Sequence, residues 1–164
     1  MSRGLLALTL VLVSFPGAGA SDTSHFIDQL DCASGPYSLH LPKTYDEVRK
    51  IGTLQSERLG KTQDLGEYKT QDRQLIFNGL RLGIVTYSND PDKYDVTSAE
   101  IRSSTWRIAG PFRVGAVLPA KVGDVSTKEL AGTATIEFSG DTDTIRMRLI
   151  GRRISSLIYL CSSG

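Results

Sequence analysis

After its first twenty residues the chain places apolar side chains mainly on alternate positions, and that period of two restricts what it can fold into. Successive side chains of a strand point to opposite faces, so alternation marks strands with one face buried and one face wet. Tyr37, Leu39 and Leu41 alternate with Ser38 and His40 until Pro42 ends the run. Residues 68–77 and 80–88 flank Asn78-Gly79, the strongest hairpin signal present, and a type I′ turn is expected there because Asn-Gly tolerates positive φ at both central positions. Asn89-Asp90-Pro91-Asp92 breaks the chain again and leads into residues 94–108, long enough for one bent strand or two paired ones, closed by Gly110-Pro111. From Thr133 the alternation returns. Ala134, Ile136 and Phe138, then Ile145, Met147 and Leu149, then residues 154–161 read as three sequential antiparallel strands separated by Gly140-Asp141 and Gly151.

Two stretches depart from the pattern. Thr44-Tyr45-Asp46-Glu47 has the spacing of a capping box, and Val48, Ile51 and Leu54 follow at near-helical intervals, which predicts a helix over residues 45–59 with a stop at Leu59-Gly60. Residues 114–130 form a second, weaker candidate, with Pro119 at its start, Val122 and Val125 on one face, and Gly115 and Gly123 lowering its propensity. The expected fold class is therefore α+β: an antiparallel sheet with two helices packed on one face, the other face left to solvent or a partner.

Residues 1–20 have the layout of a secretory signal peptide: Arg3, the apolar run from Leu5 to Val13, and Ala18-Gly19-Ala20 before Ser21. Cleavage near Ala20-Ser21 would place the product in the periplasm or outside the cell, with residues 21–35 as an N-terminal arm and 36–164 as a single domain. No later run has the roughly 18 apolar residues of a membrane helix. Without the leader, 18 of the 19 Lys and Arg remain against all 18 Asp and Glu, a balance that argues against nucleic acid as a partner. Cys32 and Cys161 are the two cysteines. In an oxidising compartment they are expected to pair, with two buried, unlinked thiols as the alternative.

The two halves of the chain look alike. Leu41-Pro42 through Val48 resembles Leu118-Pro119 through Val125, and Gly79-Leu80-Arg81-Leu82 to Tyr87 resembles Gly151-Arg152-Arg153-Ile154 to Tyr159. Each half reads as a helix followed by a meander. In element order and repeat spacing the chain resembles the β-lactamase-inhibitor-protein-like group of exported proteins. That resemblance implies recognition of another protein and transfers no individual residue.

No constellation for chemistry stands out. His25 and His40 lack the neighbouring ligands that zinc needs, Ser103-Ser104 and Ser155-Ser156 lack a nucleophile elbow, and Asp90/Asp92 and Asp141/Asp143 sit where Asp forms turns. No enzyme activity, metal or cofactor is expected. The candidate partner surface is basic and aromatic, comprising Arg102, Trp106, Arg107, Arg146, Arg148, Arg153, Tyr87 and Tyr159, residue types that combine contact area with directional polar groups. The expected function is that of an exported protein-binding envelope factor, an inhibitor or immunity protein acting on a periplasmic enzyme or toxin. The alternative is a periplasmic binder of an anionic small molecule or glycan fragment held by the same arginines.

Overall fold

The structure, a computed structural model, describes residues 26–128 and 134–162. The expected leader, the first residues of the arm including His25, and the end of the second expected helix lie outside them. Seven strands form one antiparallel sheet: β1 (Leu54–Asp64), β2 (Lys69–Phe77), β3 (Leu80–Tyr87), β4 (Asp90–Ile101), β7 (Thr135–Ser139), β8 (Thr144–Ile150) and β9 (Arg153–Leu160). Their spatial order is β1-β2-β3-β4-β9-β8-β7, so two meanders meet where β4 lies beside β9. A small ribbon of β5 (Lys121–Val122) and β6 (Val125–Ser126), a helix α1 (Tyr45–Val48) and a 3-10 turn (Ile27–Gln29) complete the regular structure of the described residues.

The register turns the alternation of single strands into continuous rows. Leu54, Phe77, Leu80, Ile101, Leu157, Met147 and Ile136 lie side by side across all seven strands. The next row on the same face is Glu57, Leu75, Leu82, Ala99, Tyr159, Ile145 and Phe138. Except at the β1 edge, where Leu54 is only partly buried and Glu57 is polar, these side chains are buried. Burying a Leu, Ile or Phe contributes about 2 kcal/mol, so this face is the main source of stability and must be kept dry.

The cover is mostly irregular chain. Phe26, Leu30, Cys32, Leu39 and Val48 from the N-terminal segment, and Ala109, Phe112, Leu118 and Val122 from residues 102–128, are buried in one cluster with the sheet. The Phe26 ring meets Tyr37 and Phe138 edge-on, at centroid distances of 4.4 and 4.9 Å. Cys32 and Cys161 form a disulfide across 129 residues. The buried Asp143 carboxylate accepts from the backbone N–H of Cys32 at 2.5 Å and of Ser162 at 2.7 Å, while Asp124 accepts from the N–H of Phe26 at 2.8 Å. Phe26, Leu30 and Cys32 of the segment read as an arm are thus core residues.

The expected α+β class with two helices is incorrect: the described residues are predominantly antiparallel sheet with one short α-helix. The capping box over Thr44 and Glu47 forms as expected, but the helix it starts stops at Val48. The chain then turns at Gly52, where a Cβ would come within 2.8 Å of the Trp106 ring, and Leu54 enters the ladder opposite Phe77. Three apolar residues spaced by three fit a single helix and equally a helical turn followed by a strand, and the ladder with β2 decides between them. Residues 114–128 are turns and the β5–β6 ribbon, because Pro119 interrupts and Gly123 adopts φ +56°, incompatible with a right-handed helix. The tandem helix-plus-meander repeat therefore does not form. The Asn78-Gly79 hairpin is present, with positive φ at Gly79 alone, the sign pattern of a type II turn rather than type I′. A Cβ on Gly79 would lie 2.5 Å from that of Ser103. The strand expected over 94–108 ends at Ile101.

At the edge of the covered face, Glu57 accepts from the Tyr45 hydroxyl at 2.5 Å and pairs with Arg73 at 2.5 Å and Arg49 at 3.3 Å. Burial pushes its carboxyl upward, but the Tyr45 hydroxyl and the two guanidinium groups outweigh that and hold it below its ordinary value. A depressed carboxylate contributes stability that is complete above its ordinary value and is lost as the pH falls through the folded-state value. Unfolding in urea should therefore become easier below about pH 4.5, and Glu57→Gln should flatten part of that decline. Asp143→Ala, which strands the N–H groups of Cys32 and Ser162, should lower the unfolding free energy at neutral pH by about 2–4 kcal/mol in the same assay.

Candidate functional site

The sheet's second face carries the complementary register. Ser56, Ile76, Arg81, Glu100, Ile158, Arg146 and Glu137 form one row across the seven strands, and Arg58, Gln74, Gly83, Ser98, Leu160, Thr144 and Ser139 form the next. The segments that cover the core face pack on its buried rows, and this face carries mostly half-buried and exposed side chains. Ile76 and Ile158 are half-buried there, and Leu160 is 41% exposed.

The arginines of this face are partly neutralised by their own neighbours. Arg146 donates to Glu137 at 2.6 Å, Arg81 reaches Glu100 at 3.4 Å, and Arg102, just beyond β4, also bonds Glu100. Exposed cross-strand pairs of this kind contribute little to stability, typically below about 1 kcal/mol. Their effect is to order the side chains and to leave Arg58 of the second row, and Arg148 two residues beyond Arg146 on the same face, exposed and without an ion pair among the described residues. At one end of the face Tyr87 stacks obliquely on Tyr68 at 5.9 Å, lies under the Lys93 ammonium at 4.6 Å and donates to Asp95. The hydrogen bond to Asp95, with burial and the same carboxylate's charge, pushes the Tyr87 hydroxyl up to about 12.

The eight residues expected to form one partner surface separate. Arg146, Arg148 and Tyr87 lie on the open face, with Arg102 at its border. Trp106 does not, because it stands past the end of β4, packs edge-on against Phe77 at 5.6 Å and donates through Nε1 to the Asn78 carbonyl at 2.8 Å. Arg107 is exposed in the same loop. Arg153 is exposed beside the β8–β9 turn and donates to the Gly115 carbonyl at 2.9 Å. Tyr159 cannot touch a partner: it is fully buried in the second core row. A bulge between Arg148 and Leu149, opposite Ser155, shifts β9 by one residue, so Leu157 and Tyr159 face the core while Ile158 and Leu160 face out. His40 is exposed, and no group of His, Cys, Asp and Glu among the described residues has the arrangement of a metal site.

Ile76, Arg81, Glu100 and Ile158 were not singled out from the sequence. Carrying the alternation outward from the Asn78-Gly79 hairpin places Ile76 and Arg81 on the face opposite Phe77 and Leu80, so that part was readable. Glu100 and Ile158 depend on the β4–β9 pairing, which joins residues far apart in the chain.

No protein-family model matches the chain, and no curated protein or solved structure is significantly similar to it. The architecture itself defines the class: a disulfide-closed antiparallel sheet with one face covered by chain and the other with no described segment packed over it.

The Tyr159 hydroxyl is buried with no hydrogen-bond partner among the described residues, and burial holds its ionisation well above the ordinary value. Tyr159→Phe should therefore raise the unfolding free energy by about 1–2 kcal/mol, measured by urea denaturation.

Proposed function

We propose that this protein is an exported protein-binding factor of the cell envelope, an inhibitor or immunity protein directed at a periplasmic enzyme or toxin, and that the open sheet face is its contact surface. The observation that carries this reading is the pair of register rows spanning all seven strands with no described segment of the chain packed over them. Half-buried Ile76 and Ile158 supply apolar area at the centre, and Arg58 and Arg148 supply unpaired charge for carboxylates of the partner. Export is supported by the leader pattern of residues 1–20 and by the Cys32–Cys161 disulfide, which suits an oxidising compartment. The inhibitor or immunity role rests on the uncovered face alone, since the helix-plus-meander repeat that carried the resemblance to the β-lactamase-inhibitor-protein-like group does not form. An anionic small molecule held by the same arginines fits less well, because Arg81, Arg102 and Arg146 are already engaged by Glu100 and Glu137.

Affinity capture from envelope extract tests the assignment. A partner should be retained by the wild-type protein and lost with Ile158→Asp combined with Arg148→Glu, both on the open face, and should survive Arg107→Glu in the covering layer. Retention of the same partner by the open-face variant would overturn it.

A further inference from the structure

Two stretches of the chain carry no Asp or Glu: residues 102–123, with Arg102, Arg107, Arg113 and Lys121, and residues 144–162, with Arg146, Arg148, Arg152 and Arg153. The fold brings them together at one corner of the sheet. Gly115 donates its N–H to the Ile154 carbonyl at 2.7 Å, Ile154 donates to the Ala116 carbonyl at 2.9 Å, and Leu118 donates to the Arg152 carbonyl at 2.8 Å. A chain whose charges balance once the leader is set aside therefore has a local positive pole at the turn between β8 and β9.

The same pairing sets two apolar side chains among those cations. Val117 lies opposite Arg153, and Arg153 lies opposite Ile150, so the three form one row across adjacent strands. That row is on the side of the open face, and Arg148 stands two residues before Ile150 on the same side. Ile150 is 75% exposed and Val117 51% exposed. Arg153 donates to the Gly115 carbonyl at 2.9 Å and Arg152 to the Leu118 carbonyl at 3.4 Å, contacts that orient the guanidinium groups without neutralising them. Among the described residues, neither of them nor Arg148 has a carboxylate partner.

Single exposed aliphatic residues are common on protein surfaces and indicate nothing by themselves. Two in one row, ringed by three uncompensated arginines, match the boundary of a lipid bilayer, where binding grows with buried apolar area and with attraction to anionic headgroups. Guanidinium groups bond phosphate oxygens in pairs, and the aliphatic tips reach the layer just beneath. A nucleic acid would engage the arginines and leave Ile150 and Val117 in water.

We propose that the corner formed by the β8–β9 turn and Val117 docks this protein on an anionic phospholipid surface, with Ile150 and Val117 entering the headgroup layer and Arg148, Arg152 and Arg153 meeting lipid phosphates. The contact lies at one end of the open face and stands whether or not that face also binds a protein.

The test is co-sedimentation of the oxidised chain from Ser21 onward, which keeps every described residue, with vesicles of phosphatidylcholine alone or with about 30% phosphatidylglycerol. Binding to the mixed vesicles should exceed binding to pure phosphatidylcholine by about tenfold or more and fall as salt rises. Arg152→Gln with Arg153→Gln should weaken it about 30-fold, and Val117→Ser with Ile150→Ser about tenfold. Lys43→Gln with Lys61→Gln removes equal charge elsewhere on the surface and should change it by less than about twofold. All these side chains are exposed, so each pair should keep the urea midpoint of the wild type. No binding at about 1 mM lipid, equal binding to the two vesicle types, or binding that either corner pair leaves intact would overturn the proposal. The vesicles contain no protein, so this result is independent of whether envelope extract yields a partner.

Discussion

The Asp143 carboxylate and the Cys32–Cys161 bond act on the same two stretches of backbone, and the architecture depends on that coincidence. One stretch is the N-terminal segment that carries Phe26, Leu30 and Cys32 into the core. The other is the end of β9, which supplies Leu157 and Tyr159 to the two apolar rows. A sheet of seven strands with one apolar face is unstable until that face is dried, and the described cover contains only four residues of α-helix. Irregular chain has little cooperative order of its own, so its position must come from long-range ties. The disulfide limits the freedom of the unfolded chain, the carboxylate satisfies N–H groups on both sides of the bond, and Asp124 repeats the device at Phe26.

The open face and its basic corner both follow from this arrangement. Drawing the N-terminal segment and residues 102–128 onto one side leaves the other side with Arg81, Glu100, Ile158, Arg146 and Glu137 in a single row. The glutamates keep that row ordered and nearly neutral, so recognition there would rest on shape, on the half-buried isoleucines and on Arg58 and Arg148, which have no ion pair among the described residues. The same covering layer brings Val117 beside Arg153 at the start of β9, which completes the basic corner.

The strands were the most legible part of the chain. Residues 69–87 and 135–160 alternate clearly enough to give their number, order and turns, and the Asn-Gly pair located the central hairpin. Local signals misled where they were incomplete. The capping box at Thr44 reports how a helix begins and is silent about its end, so α1 was predicted to extend into what is β1. Arg-Ile-Ser-Ser-Leu-Ile-Tyr-Leu is apolar in both phases after Ser156, and the bulge at Ser155 selects the phase that buries Tyr159. Trp106 looked like an exposed anchor because its partners, Phe77 and the Asn78 carbonyl, sit 28 or more residues away in sequence.

By itself the amino-acid order determined that this chain would form antiparallel strands with one greasy and one polar face, carry a leader pattern, and have a single pair of cysteines to join. Period two is a local property, readable wherever a few residues alternate. The tertiary structure alone decided that, among the described residues, irregular chain rather than two helices covers the greasy face, that the two meanders join by β4 pairing with β9, and which arginines meet a carboxylate. Those outcomes turn on register and on contacts between distant segments, where a one-residue bulge moves a side chain from solvent to core and no neighbouring residue records the change.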